Sequence, residues 1–186
     1  MSTKKVIEFL RYIEAQGKPI FTTADLATWF MVPLNTVQQA IKRHIASGLI
    51  LRAARGLYIS GINSGVLGKS PLVFVPFLRP GEFSYESFES RLSDLGLISQ
   101  IPSVTTVATT GKSWKFPTCL GFIEFTHISG EMVRRYAQTV FDFSLKVRLA
   151  KEELALYDLH CAGRNVGMVK EEAWSEYQWR EYNESQ

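Results

Sequence analysis

Between Lys4 and Ala15 the apolar residues Val6, Phe9, Leu10 and Ile13 recur at spacings of three and four, the signature of one buried helix face. Gly17-Lys18-Pro19 ends that helix. Thr22, followed three residues on by Asp25, supplies a capping box for a second helix reaching about Met31, with Leu26, Trp29 and Phe30 on its core side. Val32-Pro33-Leu34 takes the chain out of helix, because proline disfavours helical geometry in the residue before it. Asn35 then caps a third helix of about Thr36 to Ser47, with Gln38 at the reciprocal position and Val37, Ala40, Ile41 and Ile45 on the buried side. Gly48 closes it, and Leu49-Ile50-Leu51 and Leu57-Tyr58-Ile59 read as short strands on either side of Ala53-Ala54-Arg55-Gly56.

The pattern then changes. Gly61, Ser64, Gly65, Gly68 and Ser70 give the stretch from 61 to 71 the composition of a linker. Leu72 to Leu78 is apolar and β-branched in the manner of a strand. A helix beginning at Ser84 or Tyr85 places Phe88, Leu92 and Leu95 on one face and ends at Gly96; Val104 to Thr109 is a β-branched strand. Ser113 to Pro117 and Gly121 to Ile128 are two further strands. Phe141, Phe143, Leu145, Val147 and Leu149 alternate with Asp142, Ser144, Lys146 and Arg148, which predicts one half-buried strand. Lys151 to Ala162 places Leu154, Tyr157 and either Asp158 or Cys161 at helical spacing, and a last helix runs from about Lys170 to Tyr182. The predicted class is α+β, with a first domain over 1–60, a linker over 61–71 and a mixed α/β domain over 72–186.

Charge divides along the same line. Residues 1–60 hold eight Lys or Arg (Lys4, Lys5, Arg11, Lys18, Lys42, Arg43, Arg52, Arg55) against three acids (Glu8, Glu14, Asp25), while the remaining chain holds 13 against 15. A basic front joined to a near-neutral rear fits a nucleic-acid module attached to a different kind of domain. No apolar run approaches the roughly 20 residues that a bilayer span needs. Glu8, Arg11 and Glu14 interrupt the amino terminus where a signal peptide would be apolar, so a cytoplasmic protein with no membrane association is expected. Cys119 and Cys161 lie far apart without a Cys-x-x-Cys, which suits a reducing compartment, removes a zinc ribbon and reads as two small buried hydrophobes.

Helix, helix, tight turn, helix and β-hairpin is the order of a winged helix-turn-helix, and residues from Thr23 to Ser60 resemble that family along their length. The far side of the third helix carries Thr36, Gln38, Gln39, Lys42 and Arg43, amide, hydroxyl and basic groups able to reach base edges or hold phosphates, with no acid among them. Arg55 lies at the tip of the hairpin, where a wing meets the minor groove or a phosphate. The expected partner is double-stranded DNA bound by two copies on an inverted repeat. Winged helices also serve as protein-interaction modules without an operator, which is the competing reading.

The stretch SYESFESRLSDLGLISQIPSVTTVATT, then FPTCLGFIEFTHI, then RLAKEELALYDL resembles the rear domain of AbiEi antitoxins, the antitoxins of AbiE abortive-infection toxin-antitoxin systems. Ser87, Ser90, Gly96, Leu97, Gly121, His127, Ala155, Leu156 and Asp158 occupy the places of its short motifs, and with the winged helix the likeness covers about residues 20 to 165. Arg91 stands where that family has a small residue, and Leu95 where it often has histidine. The resemblance implies a transcriptional repressor of its own operon that counteracts a nucleotidyltransferase-like toxin. It also assigns DNA contact to Thr36, Gln38, Gln39, Lys42, Arg43 and Arg55.

Little in the sequence points to an enzyme, and no cofactor or metal is expected. Gly68-Lys69-Ser70 ends like a phosphate-binding P-loop, but Asn63 stands where the first glycine belongs and no helix start follows Ser70. Of His44, His127 and His160, only Asp158-x-His160-Cys161 could pair a nucleophile with a base, and residues two apart on a helix face different ways. A nuclease or transferase remains the enzyme alternative. Trp174, Tyr177, Trp179 and Tyr182 sit among acids in the tail, either packing back on their own domain or docking on a basic partner.

Overall fold

The computed structural model describes residues 1–62, 64–130 and 132–184, with side chains described up to Gln178, and has mixed α and β content. Two compact units divide the chain: residues 1–70 together with 117–120, and the remainder.

In the first unit α1 (Thr3–Ala15) buries Val6, Phe9, Leu10 and Ile13, the four residues its spacing selects. A short strand follows that alternation could not reveal: β1 (Ile20–Thr22) pairs antiparallel with β3 (Leu57–Ser60), which pairs in turn with β2 (Ile50–Ala54), giving the order β1-β3-β2. The α2 helix (Thr23–Phe30) starts on the capping box: Asp25 N donates to Thr22 Oγ1 at 3.2 Å and Thr22 N to Asp25 Oδ2 at 2.7 Å. Leu26 is buried as expected, but Trp29 is half exposed and leans on Tyr12, ring centroids 4.6 Å apart.

The α3 helix (Leu34–Ala46) begins two residues before the expected start. Pro33 takes the cap position with extended backbone, and Asn35, one residue inside the helix start, accepts from Thr36 N at 2.8 Å instead of capping. Proline loses nothing there, since a backbone N–H at a helix start has no partner within the helix. His44, not Ile45, completes the buried side. At about 100° per residue His44 falls within about 20° of Val37 and Ile45 about 80° away, so geometry outweighs apolar identity. Only Arg55 and Gly56 separate β2 from β3, and Gly56 has φ +77°, a turn conformation glycine adopts without strain. Phe9 and Phe21 meet edge to face at 5.3 Å in the core of this unit, where Leu10, Leu26, Ile41 and Ile50 are buried. Each such side chain contributes about 1.5–3 kcal/mol by leaving water.

In the second unit, Leu72 to Leu78 is not a strand: a 3-10 helix (Pro71–Phe74) runs into α4 (Val75–Leu78). A short apolar run does not distinguish buried strand from buried helix, and Pro71 and Pro76 fit first helical turns while they would break a sheet ladder. The expected helix start at Ser84 is also a correction, because Ser84–Glu86 forms β4 and α5 covers Phe88–Asp94. Next come β5 (Val104–Thr109), β6 (Trp114–Thr118), β7 (Gly121–His127) and α6 (Met132–Ala137). The alternating segment 141–149 is a hairpin, β8 (Thr139–Asp142) and β9 (Val147–Ala150), not one strand. Asp142 Oδ1 accepts from Ser144 N at 2.8 Å and Leu145 N at 2.9 Å, and Lys146 has φ +56°, which turns the chain where the apolar alternation runs on.

The α7 (Glu152–Cys161) and α8 (Glu171–Glu184) helices finish the chain. The sheet order is β6-β7-β5-β4-β9-β8, with β5 parallel to β7 and β4 parallel to β9. The α5 and α7 helices pack on each other and on the sheet, burying Tyr85, Phe88, Leu92, Leu154, Leu156 and Leu159. Cys119 and Cys161, expected inside, are both exposed: one lies in the turn after β6 and the other is the last residue of α7. Among the described residues no helix is long and apolar enough to cross a membrane.

Candidate nucleic-acid interface and a buried polar cluster

The α3 helix places Thr36, Gln38, Gln39, Lys42 and Arg43 in solvent, all opposite Val37, Ala40, Ile41 and His44. Spacing sorts the five into two adjoining stripes, Thr36, Gln39 and Arg43 beside Gln38 and Lys42. Asn35 shares the exposed side, and the helix contains no carboxylate. The packing of α3 against β2 ties this face to the three-stranded sheet whose hairpin turn exposes Arg55. The structure therefore gathers five of the six predicted residues on one helix and puts the sixth at the turn of the β2–β3 hairpin in the same unit. His44, one residue after Arg43, is buried with Nε2 lacking a hydrogen-bond partner among the described residues. Burial, with Arg43 adding to it, holds its imidazole below the usual value, so His44 packs as a neutral core residue.

The second unit hides a polar cluster that the sequence did not assemble. Asp158 of α7 is buried and accepts from Tyr85 Oη at 2.8 Å, from Ser87 Oγ at 2.7 Å and from Arg135 of α6 in a short ion pair. Arg135 also donates to Tyr85 Oη at 2.8 Å. Burial pushes the Asp158 carboxyl above its ordinary value, against the pull of Ser87, Arg135 and Tyr85. Arg135 is held above its usual value by Asp158 and Tyr85 although burial opposes its charge, and burial beside Asp158 raises the Tyr85 phenol. Of the two candidates the helical spacing left open, Asp158 is therefore the inward residue and Cys161 the exposed one.

Ser87 stands at the cap position of α5 yet makes no capping bond, since its hydroxyl serves Asp158. Thr106 of β5 substitutes: its Oγ1 accepts from Ser90 N at 3.0 Å and donates to Ser87 O at 2.6 Å. Arg91 donates from Nε to Ala150 O at 2.7 Å and so ties α5 to the end of β9. A second ionic group joins Arg164 to Glu89 at 2.9 Å and Glu124 at 2.6 Å, and Glu89 keeps one oxygen buried without a partner among the described residues.

Catalytic geometry does not emerge from the candidate triad. Asp158 points inward to Arg135, whereas His160 is exposed beside the Trp174 ring and Cys161 is exposed at the helix end. His127 lies at the end of β7, its Nδ1 3.0 Å from Gly111 O and its backbone N–H bonded to Ser113 Oγ at 2.8 Å. Among the described residues no three or more His, Cys, Asp or Glu side chains gather as metal ligands. Of the two grounds against a P-loop, Asn63 lies outside the described residues, and the expectation that no helix start follows Ser70 is corrected: Pro71, whose missing N–H suits a first helical turn, opens a 3-10 helix there. In the tail Tyr177 is buried and Trp174 stacks on it at 5.4 Å, both against the core of the second unit. The side chains of Trp179 and Tyr182 lie outside the described residues.

No protein-family model matches this chain, and no curated protein matches it.

Proposed function

We propose that the first unit is a winged helix-turn-helix that binds double-stranded DNA, with α3 in the major groove and the Arg55–Gly56 turn beside it. The observation that carries the reading is the acid-free exposed face of α3, with Gln38, Gln39, Lys42 and Arg43 side by side. Amide side chains recognise adenine edges, and arginine or lysine recognises guanine or phosphate. The buried face of the same helix is held by Val37, Ala40, Ile41 and His44, which fixes the polar face in orientation. As a whole the chain acts as a transcriptional regulator of its own operon, two copies meeting an inverted repeat.

The resemblance of the second unit makes that regulator the antitoxin of an AbiE-like pair, counteracting a nucleotidyltransferase-like toxin. The residues that carry the resemblance include Ser87, Ser90 and Asp158, which are hydrogen-bonded inside the unit. What they report is a common scaffold, so contact with a toxin belongs to other, exposed residues.

Fluorescence anisotropy of the full chain against DNA from upstream of its gene, beside a shuffled duplex and across a salt series, tests the DNA reading. Affinity should fall with salt, and Lys42→Ala or Arg43→Ala should each weaken binding by about 1–3 kcal/mol if a base contact is lost, or flatten the salt slope by about 0.9 if a phosphate contact is lost. Unchanged affinity and slope in both variants refute the groove placement. Growth rescue on co-expression with a neighbouring nucleotidyltransferase-like protein tests the antitoxin half.

A further inference from the structure

The exposed side of α3 changes its chemistry along the helix. Val37, Ala40, Ile41 and His44 are buried and fix the inward direction. At about 100° per residue, the opposite line passes within about 30° of Asn35, Gln39 and Lys42, with Gln38 about 70° to one side and Arg43 about 70° to the other. The polar side chains exposed by the first two turns are Asn35, Thr36, Gln38 and Gln39, none of them charged. Both cations, Lys42 and Arg43, come in the third turn.

A helix-turn-helix recognition helix touches base edges with its N-terminal residues. Adenine presents an acceptor at N7 beside a donor at N6, and a single side-chain amide matches both; guanine calls for arginine or lysine, and cytosine for a carboxylate. The reading end of α3 therefore holds two adenine readers, Gln38 and Gln39, and no residue suited to guanine or cytosine. Asn35 turns its oxygen to Thr36 N, 2.8 Å away, which leaves its amide nitrogen to donate to a purine N7.

The β2–β3 hairpin supplies a separate preference in the same direction. Between Ile50 and Ser60 it carries Arg52 and Arg55, both exposed, and no carboxylate. Runs of A·T narrow the minor groove and strengthen its negative potential, which draws an arginine in. The three carboxylates of the first unit lie elsewhere: Glu8 and Glu14 on α1, and Asp25 bonded to Thr22 in the cap of α2.

Resting on the DNA reading of α3 given above, we propose that the duplex bound by this unit presents adjacent A·T pairs to the start of α3. Gln38 and Gln39 each pair with an adenine edge in the major groove, and Arg55 enters the narrowed minor groove beside it. Lys42 and Arg43, beyond the reading end, hold phosphates and set affinity without choosing sequence.

The test starts from duplexes randomised over about 20 base pairs, room for two half-sites a helical turn apart, and selected for binding to the full chain. The enriched duplexes should share adjacent A·T pairs, and changing these to G·C should weaken binding, read by fluorescence anisotropy, by about tenfold or more. Inosine·cytosine pairs, which combine a G·C-like major groove with an A·T-like minor groove, should weaken it nearly as far. Replacing the adenines by 7-deazaadenine, which lacks the N7 acceptor, should cost the parent chain about fivefold and the double variant Gln38→Ala, Gln39→Ala nothing. Both positions are exposed, and circular dichroism checks that the variant is folded. Lys42→Ala should weaken every duplex alike. Enrichment of G·C pairs alone, inosine·cytosine bound as tightly as A·T, a 7-deazaadenine cost that survives in the double variant, or an A·T preference lost in Lys42→Ala overturns the proposal. Salt-sensitive binding of equal strength to every duplex overturns it while leaving α3 a DNA-binding helix. Binding to no duplex at any salt refutes the DNA reading itself, and this proposal with it.

Discussion

Replacing Glu86 by glutamine should make the second unit more stable at alkaline pH and leave it nearly unchanged in acid. Glu86 lies in β4 at 3% exposure. Burial pushes its carboxyl up from 4.5 to about 7, reinforced by Asp94 and opposed by Ser90 and Arg91. The folded chain therefore holds this proton where the unfolded chain has released it. Between the two values the native state binds more protons, so stability falls as pH rises; the contribution is complete below the unfolded value and lost as pH passes through about 7. A gap of roughly 2.5 pH units at about 1.4 kcal/mol each amounts to about 3 kcal/mol. Glu86→Gln keeps shape and polarity but does not titrate, so at about pH 8.5 it should exceed the parent by up to about 3 kcal/mol, and at about pH 4.5 by almost nothing. Because the chain has two units, the readout should be amide exchange at Val107 and Ala108 in the neighbouring strand, whose protection reports opening of this sheet. A difference between variant and parent that does not change with pH, or a variant less stable at about pH 8.5, would refute the buried titrating carboxyl.

Two further substitutions probe the scaffold. Asp158→Ala strands the Arg135 charge and two hydroxyls and should cost about 3–5 kcal/mol in urea denaturation, with Arg135→Met in the same chain recovering a large part; a loss below about 1 kcal/mol would remove the cluster's structural role. Thr22→Ala deletes the capping box of α2 and should cost about 1 kcal/mol in the first unit, read from its own exchange-protected amides, and no change there would show the cap to be idle.

Where a residue's environment follows from neighbours one turn away, the sequence was legible. The buried face of α1, the Thr22–Asp25 cap and the full extent of β5 all depend on local spacing. The exposed residues of α3 were legible for the same reason, though the apolar identity of Ile45 masked the angular claim of His44 to the core. Short elements were lost: β1 and β4 have three residues each, too few for alternation to register, and their pairing partners lie far along the chain. The β8–β9 turn was hidden because Phe143 and Leu145 continue the alternation through it without a glycine. The Asp158 cluster could not be read at all, since Tyr85 and Ser87 stand 73 and 71 residues from their carboxylate. Spacing within a helix carries no information about such partners.

The position of β4 sets an order of events during synthesis. This strand sits inside the sheet between β5, its next strand in sequence, and β9, whose Arg148 and Leu149 pair with Tyr85 and Glu86. A ribosome that has released residues through Thr109 has supplied one neighbour of β4, and the other emerges only with the final third of the chain. Long-range pairings of this kind form slowly, because loop closure must precede the contacts that reward it. Most of the first unit, by contrast, is available once Ser70 has emerged. A nascent chain therefore presents the α3 face before the second unit has closed its sheet, and chains stopped short of β9 would retain a nearly complete first unit beside an open strand edge.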